Sequence, residues 1–72
     1  MIFIESEEGD WINLEDVSRI YVYEYIGHRV TYQVQLQQFN GDTFTWKTFK
    51  VLGDARKWLA KQLKEYTMGK VK

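Results

Sequence analysis

The chain has 72 residues, 44% of them apolar and 17% aromatic, with no cysteine, no proline and a formal net charge of zero. That length holds one domain, which would bury only about 60% of its unfolded surface. The apolar share excludes a disordered chain, and the missing cysteines exclude disulfides and thiolate metal sites.

The opening "MIFIESEEGD" reads as a short strand over residues 2–5, ended by an acidic turn that contains a glycine. It lacks the basic start and the apolar run of about 7–15 residues that mark a signal peptide, and no window nears the roughly 20 apolar residues of a membrane span. The expectation is a cytoplasmic protein with no membrane contact. "WIN", residues 11–13, can pair back as a second short strand, and "LEDVS" forms the next turn. In "RIYVYEY" the tyrosines at 21, 23 and 25 alternate with Ile20 and Val22, which predicts a strand over 19–25 with the rings on one face.

After "IGHR", residues 30–38 alternate strongly. Val30, Tyr32, Val34 and Leu36 fall on one face, and Thr31, Gln33, Gln35 and Gln37 on the other. "FNGD" is the strongest turn signal, because Asn and Gly accept positive φ. A strand over 43–51 completes the hairpin. A three-residue loop, Phe39-Asn40-Gly41, pairs Leu36 with Phe44, Val34 with Trp46 and Gln33 with Lys47. A two-residue loop would instead set Phe44 and Trp46 beside the glutamines. The apolar pattern selects the longer loop, with Gly41 left-handed in a bulged turn.

The period then changes. Ala55, Trp58, Leu59, Leu63 and Tyr66 recur at three- and four-residue steps and predict a helix over 54–66, N-capped by Asp54, with residues 67–72 as a tail. Trp58, Leu59, Leu63 and Tyr66 are expected to cover Ile20, Val22, Val34, Leu36, Phe44 and Trp46. The predicted fold is α+β: a single domain over 1–72, built as an antiparallel meander of four to five strands with one C-terminal helix packed across one face.

Convergent chemistry is sparse. His28 is the single histidine and sits beside a glycine in a turn, without the second ligand that a metal or an acid–base pair needs. Ser6 and Ser18 have no partner pattern for nucleophilic catalysis. No glycine-rich phosphate loop occurs, and Glu5, Glu7 and Asp10 miss the calcium-loop spacing. The expectation is no enzyme, no metal, no cofactor and no small-molecule substrate.

Two surfaces remain. The sheet face with Tyr21, Tyr23, Tyr25, Gln33, Gln35 and Lys47 is polar yet rich in flat rings. Such rings suit a protein interface or stack on bases of a single strand, and tyrosine also simply favours strands. The outer helix face carries Arg56, Lys57, Lys61 and Lys64, which could follow phosphates or simply be solvated. Charge is unevenly spread. Residues 1–24 hold seven acids against one base, and residues 47–72 hold eight bases against two acids. The zero total disfavours strong binding of a polyanion.

The run from "IYVYEYIGHRVTYQVQLQQFNGDTFTWKTF" to "DARKWLAKQL" resembles the strand-meander-plus-helix unit of Pur/Whirly-like single-stranded DNA binders, which implies a dimer with nucleic acid on its aromatic strands. The strands from 20 to 46 carry one base, Arg29, where that family has several. The same order of a "VYE" strand, an "NG" turn and a tryptophan-bearing helix resembles small phage-encoded CRISPR inhibitors, which implies a protein that occupies a partner's surface. "WINLEDVSRIYV" is similar to the start of many small bacterial sheet domains of unassigned role. The functional expectation is a small binding module acting through protein contacts, with itself as the simplest partner. The alternatives are a single-stranded nucleic-acid binder using the tyrosines and the basic helix, and an inhibitor presenting its acidic N-terminal loop.

Overall fold

The computed structural model describes the backbone of residues 2–71 and the side chains of residues 2–65. Five strands and one long helix follow in chain order: β1 Phe3–Glu5, β2 Trp11–Asn13, β3 Val17–Ile26, β4 Val30–Gln38, β5 Thr43–Phe49 and α1 Leu52–Val71. The fold is α+β with all pairings antiparallel, but the strands divide into a two-stranded hairpin, β1-β2, and a three-stranded sheet, β3-β4-β5. A 3₁₀ turn at Leu14–Asp16 separates the two. The Asn13 side chain accepts from the Glu15 N–H there, a capping bond that breaks the chain direction between β2 and β3.

Two loops share one construction. In residues 38–42 the Gln38 N–H donates to the Asp42 carbonyl at 2.8 Å and the Gly41 N–H to the Gln38 carbonyl at 3.0 Å, with Gly41 at φ 97°. This is the expected three-residue loop with a left-handed glycine. Residues 6–10 repeat it: Ser6 N–H to Asp10 carbonyl at 2.8 Å, Gly9 N–H to Ser6 carbonyl at 3.0 Å, and Gly9 at φ 92°. Both end in Gly-Asp, and in both only glycine takes the backbone angle without strain.

Leu36 lies opposite Phe44, as expected. Further along β5 the pairing departs from expectation. The alignment shifts between Gln35 and Val34, so Val34 faces Lys47 and Gln33 faces Thr48, while Trp46 is the extra residue of a bulge. The aromatic spacing explains it. Strict alternation from Phe44 and Trp46 would send Phe49 to the far face. One inserted residue returns Phe49 to the face of Tyr32, its partner. Phe44, Trp46 and Phe49 can then all serve the same core.

That core lies between the sheet and two covers. The helix supplies one: Ala55 is fully buried, and Trp58 meets Trp46 edge to face with ring centroids 4.8 Å apart and Phe49 at 5.7 Å. The N-terminal hairpin supplies the other. Ile4 and Ile12 are buried against Leu36, with Leu14, Val17, Ile20, Phe44 and Trp46 packed around them.

Three expectations for the helix change. It begins at Leu52, so Asp54 sits in the first turn and not at the N-cap; half-buried Leu52 draws the chain into the helix earlier, and the carboxylate still favours the positive end of the helix dipole. The helix continues to Val71, through the stretch expected as a tail, with no proline to stop it. Leu63 is 39% exposed, while Gln62 takes the half-buried position, because the hairpin already covers part of the apolar sheet. Tyr66 lies outside the described side chains.

Candidate binding surface

The tyrosine row is built by the β3–β4 pairing. Tyr21 lies opposite Gln35, Tyr23 opposite Gln33 and Tyr25 opposite Thr31, and on the other parity Ile20 faces Leu36 and Val22 faces Val34. Directly opposed residues share a face. Since Leu36 and Val34 are fully buried, the three phenols stand on the side away from helix and hairpin. Tyr23 is 48% exposed and Tyr25 49%.

The row is held in place along its length. At one end the Arg19 guanidinium lies 4.4 Å from the Tyr21 ring centre, a cation–π contact between same-face neighbours. In the next strand the Gln35 side-chain amide donates to the Gln33 side-chain oxygen at 2.7 Å, aligning the two half-buried amides beside the rings. At the far end the Tyr25 ring leans over Gly27. A Cβ at Gly27 would come within 2.8 Å of Tyr25 Cε2, so only a residue without one leaves the ring where it is.

Of the candidate residues, the fold therefore brings together Tyr21, Tyr23, Tyr25, Gln33 and Gln35. Lys47 does not join them. The bulge at Trp46 moves Lys47 from opposite Gln33 to opposite Val34, on the parity of the helix-covered face. Arg56, Lys57, Lys61 and Lys64 are all exposed on α1, and the helix packs against the opposite side of the sheet. The basic helix and the tyrosines form two separate surfaces.

Arg19 and Gly27 were missed as parts of this surface. The signal was present for both: each shares the odd parity of the tyrosines in "RIYVYEYIG".

The N-terminal acids have another role. Glu7 spans to β5, where its Oε1 accepts from Thr48 Oγ1 at 2.7 Å and its Oε2 from the Thr48 N–H at 3.0 Å. Ser6 is buried, and its Oγ accepts from the Asp10 N–H at 3.1 Å. Among the described residues no group of three or more His, Asp or Glu side chains gathers as a metal site. His28 is exposed in the β3–β4 turn. A shallow hollow lined by Asp16, Gln38, Phe39 and Asn40 offers one carboxylate and two amides, without a paired base or nucleophile. No described helix is long and apolar enough to cross a membrane.

No family model, no curated protein and no solved structure matches the chain.

Proposed function

We propose that this chain is a small non-enzymatic binding module of the cytoplasm that acts through protein–protein contacts on its tyrosine face. The observation that carries the reading is the ordered row itself: two half-exposed phenols, a third braced by Arg19, and a hydrogen-bonded pair of glutamines beside them. Tyrosine supplies a rigid, amphipathic contact area with little conformational entropy to lose.

The second reading is single-stranded nucleic acid stacked on the same rings. It is favoured by a cation at the row, Arg19 over Tyr21. It is disfavoured by the placement of the helix bases on the other side of the sheet.

A photo-crosslinking residue at Gln35, with a second at Lys57 as control, separates the readings in cells of the source organism. A protein adduct from position 35 that is absent from position 57 supports the contact reading. A nucleic-acid adduct from position 35 favours the second reading, and no adduct from that position overturns the proposal.

A further inference from the structure

The two edges of the β3-β4-β5 sheet are treated differently. On β5 the Glu7 N–H donates to the Thr45 carbonyl at 2.8 Å, the Glu7 carboxylate accepts from the Thr48 N–H, and the Trp46 bulge interrupts the strand. Each of these blunts an edge. On β3 the stretch Ile20–Ile26 pairs with β4 without irregularity, and it contains neither lysine nor proline.

The direction of its backbone groups follows from the bonds at both ends. The Gln38 N–H points to β5, and the Gly27 N–H bonds the Arg29 carbonyl across the β3–β4 turn. Odd residues of β3 therefore bond β4. The N–H and C=O groups of Ile20, Val22, Glu24 and Ile26 point outward.

That edge reads I-Y-V-Y-E-Y-I, residues 20–26, the same in both directions apart from Val22 and Glu24. We propose that two copies of this chain pair antiparallel along the outer edges of β3, about a two-fold axis at Tyr23, to make one six-stranded sheet. In this alignment Ile20 faces the partner's Ile26, Tyr21 faces the partner's Tyr25, and Tyr23 faces the partner's Tyr23. All four outward-pointing residues then form hydrogen-bonded pairs, Ile20 with the partner's Ile26 and Val22 with the partner's Glu24, each with its symmetry mate.

Neighbouring alignments are worse. An axis at Val22 sets Ile20 against the partner's Glu24. An axis at Glu24 sets two carboxylates face to face and drives Ile20 into the partner's turn. An axis at Tyr21 runs into the irregularity between Val17 and Arg19.

The occupant is a second copy because the edge complements itself, because Ile26, 73% exposed, gains an apolar cover, and because a chain of zero net charge does not repel its copy. The pairing uses one edge of each molecule and the other edge is guarded, so assembly closes at two. The two tyrosine rows join side by side. A seven-residue edge is well short of the roughly 20–30 residues a side of a standard interface, so the dimer is a weak one that forms as concentration rises. The inference stands on the edge and is independent of what binds the face.

Sedimentation equilibrium of the full chain from about 1 µM to about 1 mM tests it. The expected mass rises from 8.7 kDa to twice that value and no further. Ile26→Lys, at an exposed position, weakens the dimer by about tenfold or more. Glu24→Pro, which removes an N–H that points away from β4, does the same. Glu24→Val completes the palindrome and tightens the dimer, and Gln35→Lys, on the central strand, leaves it unchanged. A monomer mass throughout overturns the proposal. So does growth beyond two copies, or a dimer insensitive to Ile26→Lys and lost in Gln35→Lys, which assigns self-association to the face.

Discussion

Glu7 grips Thr48 with both carboxylate oxygens, one on the hydroxyl at 2.7 Å and one on the backbone N–H at 3.0 Å, across 41 positions of sequence. With the Glu7 N–H on the Thr45 carbonyl, this ties the N-terminal hairpin to the outer edge of β5. Hydrogen bonds to charged groups contribute about 1.5–3 kcal/mol when sheltered, and less at an exposed site. Glu7→Ala is expected to cost about 1–2 kcal/mol in urea unfolding. Thr48→Val costs a similar amount, and the double variant costs less than the sum, as coupled partners require. Glu8→Ala at the neighbouring exposed position changes stability by less than about 0.5 kcal/mol. Additive losses at Glu7 and Thr48 would show that the contact does not hold the hairpin.

Trp58 sits between Trp46 and Phe49 and fastens the helix to β5. Removing a buried tryptophan costs about 3–5 kcal/mol. Trp58 is half-buried, so Trp58→Ala is expected near the lower end, about 3 kcal/mol, which rivals the whole stability of a domain of this size. Trp58→Phe keeps a ring for Trp46 and costs less, about 1 kcal/mol. Near-ultraviolet circular dichroism follows the paired indoles, and both variants should lose that band. Retention of it in Trp58→Ala would contradict the pairing.

The glycines divide by cause. Gly9 and Gly41 have positive φ and no atom within 4 Å of an added Cβ, so alanine there costs about 1 kcal/mol of backbone strain and nothing for space. Gly53 lies in the first turn of α1 with open surroundings. Gly53→Ala is expected to stabilise by about 0.5–1 kcal/mol through helix propensity and a less flexible unfolded chain. Thermal unfolding of the three single variants gives the signs directly.

How much was legible in the sequence follows the range of each interaction. Side-chain parity in β3 and β4 and the Phe39-Asn40-Gly41 loop depend on neighbours a few residues apart, and both could be read from "RIYVYEY" and "FNGD". The bulge at Trp46 could not be read by extending alternation. Its trace was the break in aromatic spacing, two residues from Phe44 to Trp46 and three to Phe49, which becomes meaningful once Trp58 is placed. The hairpin cover was hidden more deeply. Three-residue strands such as "FIE" and "WIN" carry no periodicity, and their destination depends on Glu7 meeting Thr48. The position of Leu63 is not legible either, because a helical stripe says which residues share a face, without saying how far the opposing surface extends.

Because the tyrosines and the helix bases occupy opposite sides of the sheet, substitutions can address them separately. Lys57→Gln, Lys61→Gln and Lys64→Gln together are expected to leave any protein contact of the tyrosine face unchanged, since all three side chains are exposed on α1. Tyr21→Ser, Tyr23→Ser and Tyr25→Ser together weaken that contact, at a cost of up to about 1 kcal/mol of strand preference for each position. Titration of a labelled single-stranded oligonucleotide between about 50 and 200 mM salt checks the assignment. Protein contact through the face predicts no salt-dependent oligonucleotide binding in any variant. If binding appears and the lysine changes lower its salt slope by about one for each residue, phosphate contacts on the helix are established. The helix would then be the functional surface, and the tyrosine row a well-formed strand.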